Sequence, residues 1–337
     1  MIRNEIGSEF WDVPIANVQN HLFPENTKWF ISGRGALSFI IDDIVGTQRF
    51  HTIALPSWCC FSMIKPFVDA GLKVEFYSPF KSTKFMTDAV LIMDYFGYTG
   101  GSAIDKYEGV VIRDVTQSLF SVTYTDANYY FGSLRKWAGF WTGGFAWGKW
   151  NNNFPIESVD DEYMKLRKIA MEQKKGYIER AHSSKEYLNT FKKAEELLTY
   201  QKITTGAVRD TTLARRLDVD FIRSRRRENA KVLLDKVREL AIFQEIKETD
   251  CPMFVPIRVQ DGKRDQLRNH LISKDIYCPV HWPVSEFNIL DESSRIIYEE
   301  ELSLVCDQRY SVLDMGRICE AIDEFFGNGT KSSLLIN

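Results

Sequence analysis

Lys136 lies in an apolar run, "FGSLRKWAGFWTGGFAW" (131–147), with Phe131, Trp137, Phe140 and Trp141 around it. A lysine drawn out of water by such neighbours loses the hydration that favours its charged form, and its neutral amine becomes available as a nucleophile. Most lysines are solvated surface residues, so it is the context that marks this one; Arg135 beside it is expected to point away, to solvent or a partner. Ser133 stands three residues before the lysine. Asp114 ends the run "GVVIRD", with Gln117 three residues on. A partly desolvated carboxylate at the end of a strand holds a cationic ring nitrogen in its protonated state, although a helix N-cap or turn aspartate has the same appearance. In "SGRGAL" (32–37), small residues join a strand to a helix beginning near Ala36. Backbone N–H groups there can approach an anion, and the helix terminus adds a partial positive charge. The stretch is neither a dinucleotide fingerprint nor a P-loop, and a plain strand-to-helix turn reads alike. Gly143-Gly144 allows close approach of a flat ligand or neighbouring subunit, or simply turns the chain into the strand "FAWG".

These residues need a scaffold that brings them together. From about residue 28, "KWFIS", "HTIAL", "KVEFY", "AVLIMDY" and "GVVIRD" alternate with the helical patterns "ALSFIIDDI" and "SMIKPFVDA". Strands separated by helix-length segments predict βαβ units and a mainly parallel sheet. Runs such as "AVLIM" are apolar on both faces, as in a sheet covered on both sides, which makes a three-layer α/β domain. Ligands in such sheets bind beyond the carboxyl ends of the strands, where the residues above fall. Residues 157–200 and 211–242 read as long surface helices, with the "RSRRRE" run (223–228) as a solvated face. A strand in "PMFVPIRV", a helix at "RDQLRNHLISKD", a strand at "YCPVHWP" and a closing helix over 313–326 predict a smaller α/β domain. The expected division is 1–225 and 226–337. His281 and Trp282 fall on a loop that either lines a substrate mouth or packs against the large domain. The tail "GNGTKSSLLIN" is expected to fray.

Composition narrows the classes. The chain has 337 residues, 44% of them hydrophobic, enough for a large core, and a net charge of −3 offers no general attraction to nucleic acid or anionic membrane. No apolar run reaches the roughly 20 residues of a membrane span, and the first segment lacks signal-peptide order, so a cytoplasmic protein is expected. Six cysteines without a CxxC pair predict reduced thiols and no metal site. A phosphate cradle, a carboxylate for a ring nitrogen and an amine nucleophile together answer to pyridoxal 5'-phosphate.

The ordered motifs "SGRGAL", "LPSWCCFSMIKPFVDAGLKVEFY", "LIMDYFGYTG", "RDVTQSLFS", "SLRKWAGFWTGGFAW", "VPIRV…LRNHLISKDIYCPVHWP" and "LVCDQRYSVLDMGRI" resemble the DegT-type sugar aminotransferases, over roughly residues 28–325. The resemblance implies fold type I of the pyridoxal-phosphate enzymes: a seven-stranded, mainly parallel sheet, a smaller carboxyl-terminal α/β domain, and a homodimer with shared active sites. It would make Lys136 the lysine that carries the cofactor and, once freed, the general base and acid of amino transfer. Asp114 would partner the pyridine nitrogen, and Gln117 would lie beside the ring. Gly35 and Ala36 would present amides to the phosphate, and Ser133 its hydroxyl. Cys60 occupies the position where the family often stacks an aromatic on the ring, leaving Trp58 or Phe61 to supply that face. The implied reaction moves an amino group from an amino acid, L-glutamate by analogy, to a keto group of a nucleotide-linked sugar. Members with histidine at the lysine position perform dehydration, so Lys136 favours aminotransfer. The family's glutamate after the lysine is replaced within "WTGG", and its Asn-Tyr-Arg motif is matched only by Arg209. Those losses leave a non-catalytic, cofactor-binding or regulatory member as the alternative. A nicotinamide-dependent oxidoreductase is disfavoured by the missing GxGxxG.

Overall fold

The computed structural model describes residues 5–46, 50–81, 84, 86–99, 107–121, 127–151, 156–158, 161–181, 183–198 and 203–327, so the tail beyond Gly327 lies outside the described residues. After a short strand β1 (Ile6–Gly7), the chain enters an alternating region: β2 (Lys28–Phe30), α1 (Gly33–Val45), β3 (Thr52–Pro56), α2 (Phe61–Asp69), β4 (Lys73–Tyr77), β5 (Ala89–Met93), β6 (Val110–Asp114), β7 (Tyr129–Ser133) and β8 (Gly144–Gly148). β2 to β8 form one seven-stranded sheet in the order β2-β8-β7-β6-β5-β3-β4. β3 to β7 pair in parallel, whereas β8 runs antiparallel to both β7 and β2. The mainly parallel sheet matches the pattern of the sequence.

Burial explains why these segments are strands. All five residues of β5 are buried, and so are the last four of β6, as required where both faces are covered. α1 is capped by Ser32, whose side chain accepts from the Gly35 N–H, and it buries Leu37, Ile40, Ile41 and Ile44. The resulting core joins α1 and α2 to the sheet through Phe39, Ile40, Leu55, Ile64, Leu91 and Ile112.

Among the described residues four helices follow: α3 (Asp161–Ile178), α4 (Tyr187–Leu197), α5 (Val208–Ala214) and α6 (Val219–Val237). α6 crosses the expected division at 225/226. Its Ile222 packs with Val115, Trp137 and Met253, while Leu233, Leu234 and Val237 belong to a second core. That core is built on β9 (Phe254–Arg258), α7 (Arg264–Ser273), β10 (Ile276–Tyr277), β11 (Glu301–Val305) and α9 (Val312–Phe326), whereas Ile297 and Tyr298 of α8 (Glu292–Glu300) pack into the first core.

Two expectations here are corrected. The strand at "YCPVHWP" shrinks to β10, and the partner of β9 is instead β11, which pairs with it antiparallel over five residues. "ELSLV" was masked by the acidic helix end before it, yet all five of its side chains are buried. The "RSRRRE" run is not a solvated face. Arg226 is 1% exposed, bonds Gln308 and the Met253 carbonyl, and lies 4.4 Å from the Trp137 ring. Arg227 donates to the carbonyls of Lys247 and Asp250. Carbonyls gathered at turns give the guanidinium forks fixed acceptors that sequence spacing does not display.

The first described residues are woven into the rest. β1 pairs in parallel with β10. Glu5, 5% exposed, holds the buried Lys174 of α3, and its second oxygen binds Lys185 at 2.7 Å. Arg309 donates to the carbonyls of Ser8 and Glu9 while bonding Asp307 at 2.8 Å. The Gly139 N–H donates to the Asp12 carbonyl.

Candidate active site

Asp114 ends β6 and Ser133 ends the adjacent β7, so the parallel pairing of these strands brings both side chains to one edge of the sheet. Immediately after Ser133, a single 3-10 turn (Leu134–Lys136) carries Lys136 to the same edge. The amino terminus of α1 contributes Ser32, Gly33 and Arg34, and the approach to α2 contributes Cys60. All of these line one cavity of about 610 Å³, together with Gln117.

Asp114 is 5% exposed, and its Oδ1 accepts from the Thr116 N–H at 2.7 Å. Burial pushes its carboxyl up to about 6, against the lowering effect of the Thr116 hydrogen bond and with a further push from Asp94. Arg113 cannot relieve it, because its guanidinium is engaged with Asp94 at 2.6 Å. A buried acid held this way gains from a cationic group brought against it.

Ser133 is 6% exposed, and its Oγ is buried without a hydrogen-bond partner among the described residues. An unmet hydroxyl on a cavity wall is a donor waiting for an acceptor. Gln117 turns its Oε1 back to the Phe96 N–H at 2.9 Å, leaving the Nε2 donors for the cavity. Carboxylate, hydroxyl, amide and amine thus fit the ring nitrogen, phosphate and aldehyde of pyridoxal phosphate.

Lys136 departs from expectation in one respect. Its aromatic neighbours do not enclose it: Trp137 and Phe140 are fully buried, and the Trp137 Nε1 donates to the Thr116 carbonyl at 2.6 Å. The 3-10 turn sends those rings into the core and leaves the lysine exposed on the cavity wall. Arg135 does the reverse of what was expected. It is largely withdrawn from solvent, bonds the Tyr163 hydroxyl at 3.1 Å and pairs with Glu195. Burial would raise the Glu195 carboxyl, but Arg135 and Arg167 hold it down at about 2.

The turn before α1 also differs in detail. The Gly35 N–H donates to Ser32 Oγ and the Ala36 N–H to the Ser32 carbonyl, both at 3.1 Å, and Ala36 is fully buried. Gly33 and Arg34, rather than Gly35 and Ala36, line the cavity. Gly144 is required because a Cβ there would collide with the Ser32 carbonyl, and Gly143, at φ +120°, makes the turn into β8. The glycine pair therefore serves the meeting of two backbone segments.

Neither Trp58 nor Phe61 presents a ring face to the cavity. Trp58 is fully buried, stacked on Tyr95 at 4.8 Å, and its Nε1 donates to the His281 carbonyl. Phe61 is exposed beside Phe287. Cys60 lines the cavity, its Sγ 3.0 Å from Ser62 Oγ, and burial pushes its thiol up. Thr142, where the resembled family has glutamate, is fully buried and donates from N and Oγ1 to Asp210. Arg209 lies over the Trp141 ring at 4.3 Å and pairs with that same Asp210.

His281 and Trp282 line the cavity. Sequence reasoning missed the rest of that wall: Glu9 and Phe10 from the first segment, and Arg226, Asp307 and Arg309. "CDQRY" carried a signal, a charged pair next to apolar β11, but nothing in it pointed to residues 300 positions away.

No family model matches the chain, and no curated protein matches it. Solved structures do. A putative sugar aminotransferase, Spr1654 from Streptococcus pneumoniae in its PLP-form, is 14% identical with a TM-score of 0.58, over 88% of this chain and 86% of its own. The aminotransferase TlmJ from Streptoalloteichus hindustanus is 14% identical with a TM-score of 0.61, over 91% and 87%. PseC from Helicobacter pylori, an aminotransferase involved in the biosynthesis of pseudoaminic acid, is 13% identical with a TM-score of 0.59, over 95% and 99%. The chain has the fold of these proteins along nearly its whole length, the fold type I architecture expected above.

Proposed function

We propose that this protein is a pyridoxal-phosphate-dependent aminotransferase of the DegT type. It moves an amino group from an amino acid, L-glutamate, to a keto group of a nucleotide-linked sugar. The observation that carries the reading is the convergence of Lys136, Asp114, Gln117 and Ser133 on one cavity at the carboxyl ends of β6 and β7. The likeness to solved sugar aminotransferases supports it.

When bound, the cofactor supplies an aldehyde that takes up the amino group and a ring that withdraws electrons from the carbon losing its proton. Lys136 would hold it through Nζ and, once freed, would move the proton between the donor's α-carbon and the cofactor. Asp114 keeps the proton on the ring nitrogen, its own carboxylate form stabilised by that cation. Ser133 donates its unmet hydroxyl proton to the phosphate, with the amino terminus of α1 adding its dipole. Gln117 offers Nε2 donors beside the ring. The reading includes a large cofactor-binding unit (1–225), a smaller unit (226–337), a cytoplasmic homodimer with shared sites, and no metal.

A second reading, a regulatory protein that binds the cofactor without turnover, is favoured by Thr142 being tied to Asp210 where a glutamate belongs. The test separates the two. Purified protein should gain visible absorbance with pyridoxal phosphate, retain it through gel filtration and lose it on adding L-glutamate. Lys136→Ala should not gain the retained band, and retention there refutes the lysine assignment. A band unchanged by amino donors supports the regulatory reading, and a screen of keto-sugar nucleotides identifies the acceptor.

A further inference from the structure

One wall of the cavity carries a hydrogen-bond chain that the roles above do not use. Glu301, at the start of β11, is completely buried, and no lysine or arginine pairs with it among the described residues. Its two carboxyl oxygens each take one donor. Oε2 accepts the His281 backbone N–H at 2.6 Å, and Oε1 accepts the Ser303 hydroxyl. Ser303 Oγ in turn lies 2.9 Å from His281 Nδ1. The serine has one proton and spends it on Glu301, so Ser303 Oγ accepts, and His281 Nδ1 must carry the proton between them. In the neutral ring, Nε2 is then the bare nitrogen.

The ring has little freedom to reverse this. It is held edge-on to Phe96 at 5.3 Å, tilted on Phe254 at 5.1 Å and edge-on to Trp282 at 5.3 Å. The backbone is fixed on both sides, by Glu301 on its N–H and by Trp58 Nε1 on its carbonyl. Nε2 has no hydrogen-bond partner among the described residues and is not among the buried unpartnered atoms, and His281 lines the cavity with Lys136 and Asp114. A histidine aimed by a hydroxyl and a buried carboxylate is a prepared proton acceptor.

We propose that His281 is a catalytic base of this site, which takes a proton from the ammonium group of the incoming amino acid, with Ser303 and Glu301 as positioning residues. The inference rests on the aminotransferase reading. An amino acid arrives as its ammonium form and must lose one proton before its nitrogen has a lone pair to offer. In this step the N–H bond of the substrate breaks, an N–H bond forms at His281 Nε2, and the imidazolium is stabilised by Glu301 through Ser303. The proton leaves again to solvent through the open cavity.

The test uses the full chain loaded with pyridoxal phosphate and L-glutamate as probe, followed by loss of the lysine-bound absorbance in a single turnover. His281→Ala should bind the cofactor as wild type does but lose about a hundredfold in the rate at saturating glutamate, and added imidazole should restore at least about tenfold of it. Nitrogen NMR of histidine-labelled wild type should show Nδ1 protonated and Nε2 bare. Glu301→Gln should disturb that tautomer, because an amide cannot accept both donors that the carboxylate now holds. A His281→Ala rate within about twofold of wild type, absence of imidazole rescue, or an Nε2-protonated ring in the wild type each overturns the proposal. Failure of wild type to load the cofactor would instead refute the aminotransferase reading. A loaded wild type silent toward glutamate would refute the aminotransferase reading and, with it, the ammonium step.

Discussion

Asp114→Asn should make the cofactor-free protein more stable and the cofactor-loaded protein less so. In the folded chain, burial raises the Asp114 carboxyl from an ordinary 3.8 to about 6, a displacement of about 2 pH units. At 1.36 kcal/mol per unit this is about 3 kcal/mol of differential stability. Because the folded value lies above the unfolded one, the group's favourable contribution is complete below about 3.8 and disappears as pH rises through about 6. Asparagine keeps an Oδ1 for the Thr116 N–H and has no charge to bury. The stability gap between Asp114→Asn and wild type should therefore open between pH 4 and pH 6 and level off near about 3 kcal/mol at pH 7.5. Urea unfolding of both proteins at pH 5 and pH 7.5, without cofactor, measures it. Saturating pyridoxal phosphate should reverse the order, since the wild-type carboxylate then faces a ring cation and the asparagine does not. A gap that is independent of pH, or a variant equally stabilised by the cofactor, would refute the argument that this carboxylate is buried in wait for a positive partner.

Ser133→Ala should leave cofactor-free stability within about 1 kcal/mol of wild type, because the hydroxyl it removes is buried without a partner. It should weaken pyridoxal phosphate about tenfold, the worth of one hydrogen bond to a charged group, as read by fluorescence titration. Glu5→Gln should cost about 3 kcal/mol in chemical denaturation, since it strips the charge partner from the fully buried Lys174. A loss under about 0.5 kcal/mol would show that water reaches that lysine.

Much of the large sheet is legible in the chain because parallel strands buried on both faces, such as "AVLIM", are apolar without interruption and are spaced by helix-length segments. The ends of those strands are legible for the same reason, and with them the positions of Asp114 and Lys136. What escapes is direction and distance. The reversal of β8 leaves no trace in "GFAWG", and "ELSLV" hides behind a helix that ends in acids. Arg135 and Arg226 look like surface charges because their acceptors, Glu195 and Gln308, lie 60 and 82 positions away. The aromatics around Lys136 were near it in sequence, but a 3-10 turn separates consecutive side chains by about 120°, so sequence neighbours diverge in space.

The path of residues 5–12 has a consequence for how the cavity comes into being. Glu5 awaits Lys174 and Lys185, β1 awaits Ile276 and Tyr277, and the carbonyls of Ser8 and Glu9 await Arg309. During synthesis this segment emerges before Tyr277 and Arg309, and its strand and carbonyls wait for both. The wall that it supplies thus assembles late, and a cavity able to hold a ligand marks a polypeptide in which residues 300 positions apart have met.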